Sequence, residues 1–545
     1  MQTTLRSLAI CLLALFAAGC GERAPDGSPA ADEGVTFHRG NGAEPATLDP
    51  HLAEDSASFE ILRDLYEGLT TGDVDARVVP GTAESWEVSA DGLTWRFTLR
   101  ENAAWSNGDP VTAADFVAGF RRTVDPATAS TYSQVLFPVK NAEPVNRGEL
   151  PPEALGVSAP NERTFVVELE TPTPYFLSLL SHSATYPLHR ASYAAHGEDF
   201  VRAGNMVSNG AYALDEWAVN SFVRLRRNPH YHDAANVQID TVYYYPIEEH
   251  AAELQRYRAG ELDFTQSVPN NRYDWIRANL GDQLHVTPYL STYFFVLDLT
   301  EPPFDDVRLR RALAMAVDRE TLVDKVLGGG QEGAWGLVPP GVDNYTSAEY
   351  EWKDWPEERR LAEARRLYQE AGYSADDPLE ARILYNTSDN HRKIAVAVQE
   401  MIRSALGADI TVVNQEFKVM LETRKSPARW EILRYGWTGD YNDPYTFLEI
   451  FRSDSPQNPA WYANPDFDRL LANASAERDT QRRAAILREA EQMLIEDYPA
   501  VFAYFYVARH LVKPYVRGYR ANIMDHNYSR HYRIEKPASM NRSAE

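Results

Sequence analysis

Few side chains in this sequence are grouped as chemistry requires. Glu248-Glu249-His250 and His230-Tyr231-His232 come nearest to a metal-ligand cluster, and neither has the i, i+4 spacing that sets two ligands on one helical face. Structural or surface roles are expected for both, and no metal. A nucleophilic serine calls for a Gly-x-Ser-x-Gly turn, a phosphate cradle for a glycine loop ending in lysine, and a zinc hydrolase for His-Glu-x-x-His; the sequence has none of them. Gly328 to Gly333 (GGGQEG) carries the glycines of a dinucleotide loop, but follows a helical stretch, Leu322 to Leu327, where that loop needs a preceding strand. It is expected to be a plain loop, with no cofactor. No acid and base are paired by any motif, so an enzyme is not expected.

Cysteine chemistry is confined to the amino terminus. Arg6 gives a short positive region and Ser7 to Ala18 a mostly apolar run too short to span a bilayer comfortably, the pattern of a signal peptide over residues 1–19. Ala17-Ala18-Gly19-Cys20 then resembles the bacterial lipobox, which implies lipidation at Cys20. Cys11 leaves with the signal peptide, so no thiol remains to pair. Acyl chains contributing about 0.8 kcal/mol per buried methylene hold such a protein at a membrane surface. Residues 20–34 (CGERAPDGSPAADEG) form a polar, Pro/Gly/Ser-rich tether. Later stretches fall short of eighteen apolar residues, so the body is expected to be soluble, on the periplasmic or cell-surface side of the membrane. Ordinary secretory cleavage with Cys20 free is the alternative.

The elements that must position any site alternate along the body. Trp95 to Leu99 and Thr164 to Leu169 alternate like half-buried strands. Ile383-Leu384-Tyr385, a helix from about Asn390 to Leu406, and Ile410 to Val413 form a β–α–β unit, with Ile394, Val398, Met401 and Ile402 on one helical face. Glu357 to Ala371 and Gln481 to Glu496 read as further amphipathic helices. Tyr243-Tyr244-Tyr245 and Tyr504-Phe505-Tyr506 are expected to be core strands. The fold class is therefore α/β. With 545 residues, the chain has room for about two to four packed units. Hydrophobic residues at 44% and charged residues at 24% are globular proportions, and a formal charge of -25 repels phosphate backbones, so nucleic acid is not an expected partner.

One segment is recognisable. Arg434-Tyr435-Gly436-Trp437-Thr438-Gly439-Asp440-Tyr441-Asn442-Asp443-Pro444 resembles the ligand-binding core of the oligopeptide-binding proteins that serve ABC importers. The resemblance extends, in order, through Thr47 to Pro50, Arg63 to Leu69, Trp105 to Ala113, Ser208 to Tyr212, Pro302 to Arg308, Tyr385 to Asp389 and Val413 to Phe417.

That family implies a two-lobed, hinge-closing periplasmic-binding-protein fold with an additional inserted α/β domain. Mapped by the motifs, residues 33–56, 191–290 and 508–538 form the first lobe, 57–190 the extra domain and 291–507 the second lobe. Interrupted lobes account for the absence of any linker in the composition.

A peptide of unspecified sequence offers an ammonium, a carboxylate and a repeating backbone. The resemblance assigns Asp440 to the ammonium. It assigns the backbone to Glu44 and Ala46 of the early segment Gly42 to Ala46, and to Gly436, Trp437, Thr438 and Gly439, with Tyr132 facing the ligand from the extra domain. Arg434, Arg424 and His391 fall on the positions that hold the carboxylate of peptides of different length, and an arginine fork suits that group. Where some relatives have a lysine suited to the shortest peptides, Leu327 stands here. Phe417, Trp437, Tyr289 and Phe294 are the expected walls of side-chain pockets.

The implied function is that of a lipid-anchored monomeric receptor that binds peptides of about three to five residues and delivers them to an ABC permease. A peptide-responsive surface adapter or signalling receptor, read out by ligand-driven closure, and a receptor for cell-wall (murein) peptides stay open as alternatives.

Overall fold

A computed structural model describes residues 34–426, 430–455 and 457–536; Cys20, the signal peptide 1–19 and the tether up to residue 33 lie outside the described residues, and the side chain of Phe417 lies outside them as well. Among the described residues no helix is long and apolar enough to cross a membrane.

Three main sheets organise the chain. In the first, strands run in the order Thr36–Gly40, Thr241–Tyr245, Phe222–Arg227 and Tyr212–Ala218, with the first pair parallel and the rest antiparallel. The earliest described strand thus pairs with a segment two hundred residues on, which is why composition marks no domain border here. Phe37, Val223, Leu225, Val242 and Tyr244 alternate onto the buried face.

The second sheet is antiparallel, in the order Ala83–Val88, Thr94–Leu99, Thr164–Glu168 and Val157–Asn161. Helix Ala113–Val124 covers it, with Phe116 and Phe120 against Phe165. That helix starts where Thr112 and Asp115 close a capping box. The first two sheets share one hydrophobic core.

The third sheet has six strands in the order Glu332–Gly333, Ala500–Leu511, Leu284–Leu297, Ile432–Thr438, Glu380–Asn386 and Asp409–Gln415. Its far edge is the β–α–β unit read from the sequence. Glu380–Asn386 and Asp409–Gln415 are parallel, linked by helix Asp389–Leu406, which Gly407 ends in the left-handed region at φ 76°. Ile394, Val398 and Ile402 are buried on that helix, each burial contributing about 1.5–3 kcal/mol. Helices Glu357–Glu370 and Thr480–Asp497 also form where periodicity placed them. Residues 328–331 are a loop, and Glu332–Gly333 then adds a short strand to the sheet edge.

Leu284–Leu297 and Ala500–Leu511 are long because they pass from one core to another. Leu284 and Leu511 pack with Leu254, Tyr257 and Ile276, whereas Phe294 and Phe502 belong to the core of the third sheet. Between the two halves the register shifts, from Pro288 against Val507 to Thr292 against Phe505. A bulged two-strand crossing between separate cores is the place where such a fold bends.

Candidate ligand-binding site

A cavity of about 500 Å³ opens at this crossing. Helix Ser56–Leu65 gives it Phe59 and Arg63, the crossing strands give Tyr289, Tyr506 and Arg509, and Tyr132 and His182 close it from loops of the chain between residues 125 and 189. Thr438, Gly439 and Asp440 enter where strand Ile432–Thr438 ends.

Gly439 has a specific reason to be glycine. Its N–H donates to the Leu290 carbonyl at 2.8 Å, and a Cβ there would stand 2.6 Å from the Leu290 side chain. This close approach of the turn to the crossing strand directs the next side chain, Asp440, into the cavity. The Asp440 N–H donates to Thr446 Oγ1 at 3.3 Å, but among the described residues its carboxylate has no cation. Burial pushes its pKa up to about 6. Tyr132 faces it: burial, then the Asp440 charge, raises the Tyr132 hydroxyl well above its usual range. A half-buried anion beside a phenol, with no counter-ion, suits an ammonium that arrives with a ligand.

Several other ionisable groups at the wall are paired or held neutral. Arg63 donates to Glu60 at 2.9 Å, and His510 Nε2 lies 2.7 Å from Asp525. Burial, with Arg63 nearby, holds His182 down to about 3 and His526 well below the ordinary range. Tyr132 stacks on His182 with centroids 4.9 Å apart.

Arg434 leaves the opposite end of the strand that leads to Asp440. Its Nη2 donates to Tyr506 at 2.9 Å and Nη1 to Asn386 at 3.4 Å, its guanidinium lies 4.7 Å from the Tyr293 ring centre, and Nε is buried without a partner. Among the described residues it has no carboxylate. It meets the cavity wall through Tyr506 and does not line it. His391 packs 5.6 Å from Tyr293, and burial followed by the Arg434 charge holds it down to about 3, so it is a neutral imidazole. These two lie near each other. Arg424 is not with them: it donates to the Tyr435 hydroxyl at 2.9 Å and to Gln457 at 3.4 Å, and Tyr435 leaves the strand on the face opposite Arg434.

Trp437 is half-buried against the core of the third sheet with its indole N–H unpartnered, and Gly436 lies beside Arg434 and Tyr506. Thr438 Oγ1 is 2.8 Å from Ser291 Oγ, and Tyr289 lines the cavity.

Three expectations are displaced. Glu44 points away from the cavity, because its carboxylate accepts from the Trp217 indole at 2.7 Å and from the Asn220 N–H at 3.1 Å. Ala46 is exposed outside the cavity, and Gly42 to Ala46 is irregular chain beyond the strand that ends at Gly40. Phe294 is fully buried among Tyr435, Phe451 and Phe502, since alternation turns it to the face opposite Tyr293. Of Phe417 only its position can be given, at the start of helix Phe417–Thr423. Conversely, the cavity wall includes His250, for which a surface or structural role was expected, and Arg509, which no motif marks.

Two cores joined by crossing strands, with a cavity and an unpaired carboxylate at the junction, define a two-lobed solute-binding protein. Sequence places it more narrowly. The family model for bacterial extracellular solute-binding proteins, family 5 (middle region), matches residues 77–459. The periplasmic oligopeptide-binding protein OppA of Escherichia coli is 41% identical over 508 residues, covering 92% of this chain and 93% of that protein. The Haemophilus influenzae OppA structure in complex with the peptide RPPGFSPFR superposes with a TM-score of 0.79 at 39% identity, covering 93% of this chain and all of that one. The Escherichia coli murein tripeptide binding protein MppA superposes at 0.81 with 37% identity, covering 93% and 99%. The chain belongs to the bacterial extracellular solute-binding proteins of family 5.

Proposed function

We propose that this chain is an extracytoplasmic receptor that binds peptides of about three to five residues between its lobes and delivers them to an ABC permease. It acts as a monomer held at the membrane by lipid on Cys20. The observation that carries this reading is Asp440, a carboxylate in the cavity with no cation and a pKa raised to about 6. In this account Asp440 takes the peptide ammonium, the backbone of residues 436–439 lies along the peptide, and Arg434 with neutral His391 receives the carboxylate end through Tyr506. Trp437 and Tyr289 bound side-chain pockets.

The lobe boundaries proposed are 33–56, 191–290 and 508–538 for the first lobe, 57–190 for the extra domain and 291–507 for the second. Support comes from the sheets: strands 83–168 pair among themselves, and the register shift in the crossing strands falls between 288 and 292.

Native mass spectrometry of protein purified without refolding tests the function. Short peptides with free amino termini are expected to leave the protein on activation. A bound chelate, sugar or bile acid displaced by no peptide would contradict the reading. The likeness to MppA favours a murein peptide as a second reading, and a muropeptide among the released ligands would select it.

A further inference from the structure

Two half-buried charges on the cavity wall lack a counter-ion among the described residues, and they have opposite signs. One is Asp440. The other is Arg509, on the crossing strand Ala500–Leu511. Its Nε and Nη1 are buried without a hydrogen-bond partner. The groups around it include Tyr273, whose ring centre is 5.8 Å from the guanidinium carbon, Tyr504, and His250, whose pKa burial and then Arg509 hold below the ordinary range against the opposing charge of Glu249.

The glycine run 328–330 makes room for this side chain. A Cβ at Gly329 would stand 2.4 Å from Arg509 Nη1, and Gly330, at φ 85°, lets the Tyr273 hydroxyl approach to 3.1 Å of where its own Cβ would be. Gln331 Oε1 accepts from the Gly329 N–H at 3.1 Å, which holds the loop in that shape. The loop that carries the glycines of a dinucleotide motif thus houses an arginine. Desolvating a cation costs several kcal/mol unless a partner compensates, and here the cost is left uncompensated at the surface of a ligand cavity.

We propose that Arg509 is a specificity subsite for a second carboxylate of the ligand, an acidic side chain, so that the receptor prefers short peptides carrying glutamate or aspartate at one position. This rests on the peptide-receptor reading and adds a side-chain preference to it. A guanidinium is a permanently charged, planar donor group that suits a carboxylate. Asp440 at one part of the wall and Arg509 at another then fix both the ammonium and the acidic side chain of one peptide.

Calorimetry on the full chain tests it with alanine tetrapeptides carrying glutamate or glutamine at each position in turn, each made with a free or an amidated carboxyl terminus. In the wild type, glutamate at one position should bind about 10- to 100-fold tighter than glutamine. Arg509→Gln should abolish that ratio while binding the glutamine peptide as the wild type does, and Arg509→Lys should restore part of it. Equal affinities for glutamate and glutamine at every position in the wild type, or a ratio that survives in Arg509→Gln, would overturn the proposal. So would loss in that variant of the discrimination between acid and amide termini, which would mean Arg509 holds the chain end. Weakened binding of all peptides together with a lower unliganded Tm would assign it a structural role instead and overturn the subsite. If the wild type binds none of the tetrapeptides, the peptide-receptor reading itself fails and the subsite with it.

Discussion

Tyr175 lies flat against Tyr441, with ring centroids 4.7 Å apart and planes 6° from parallel. Tyr445 stacks on the same ring at 5.2 Å, and Arg483 lies 5.7 Å above it while pairing with Asp443 at 2.6 and 2.9 Å. Tyr175 touches both main cores, so this stack joins them. Tyr441 follows Asp440 directly, so the stack also sets where the carboxylate stands. Tyr175→Ala should remove about 0.5–1.5 kcal/mol per aromatic pair, widen the unliganded particle in small-angle scattering, and weaken peptide binding roughly 3- to 10-fold. Unchanged scattering and affinity would show that the stack holds nothing.

Asp440 links stability to pH in a known direction. Its pKa is raised in the folded protein to about 6 from an ordinary value of 3.8, so the folded state binds the proton more tightly than the unfolded one. The protein without ligand should therefore lose stability from this group as pH rises from about 4 to about 6, by about 3 kcal/mol at most. Asp440→Asn removes that loss, so the two stability curves should converge at pH 4 and the variant should be the more stable at pH 7. Peptide affinity should run the other way, falling as acid protonates the carboxylate below about pH 6. Denaturant titrations at several pH values measure the first effect and calorimetry the second.

Arg434 is held by Tyr506, Asn386 and the Tyr293 ring, without an anion among the described residues. Arg434→Met keeps most of the packing volume and removes the charge. Affinity for peptides with a free carboxyl terminus should fall about 10- to 100-fold, whereas amidated peptides should bind both forms alike. Equal loss for both kinds of peptide would assign Arg434 to packing alone.

Glu491 is a fully buried carboxylate on helix Thr480–Asp497, accepting from the Leu337, Val338 and Ala348 N–H groups and from the Tyr345 hydroxyl. It closes the loop that precedes helix Glu357–Glu370. Glu491→Ala leaves those donors buried without a partner and should cost about 3 kcal/mol or more, seen as a lower denaturation midpoint. Affinity measured on the protein that remains folded should change little.

The parts of the fold that were legible in the sequence are those held by local pattern. Ile394, Val398 and Ile402 recur at helical spacing between two alternating apolar runs, and the β–α–β unit follows from that alone. Asp440 was legible because it stands in a compact run of distinctive residues. What escaped depends on contacts distant in sequence. Glu44 finds its partner Trp217 173 residues away, and no local pattern announces it. Phe294 and Tyr293 are neighbours with similar side chains, and the register against Ile432–Thr438 decides which one packs on Phe451 and Phe502 and which meets Arg434. Arg509 and His250 carry no motif, and their place on the cavity wall is fixed by where two long strands cross.

The amine clamp is the centre of the account, and calorimetry with trialanine and its N-acetylated form measures it most directly. The wild type should bind free trialanine, while acetylation and Asp440→Ala should each weaken binding by about 3–5 kcal/mol, or roughly two to three and a half decades. Because both changes remove one partner of the same pair, acetylating the peptide should cost the variant little more. Asp440→Ala binding free trialanine as tightly as the wild type would contradict the clamp.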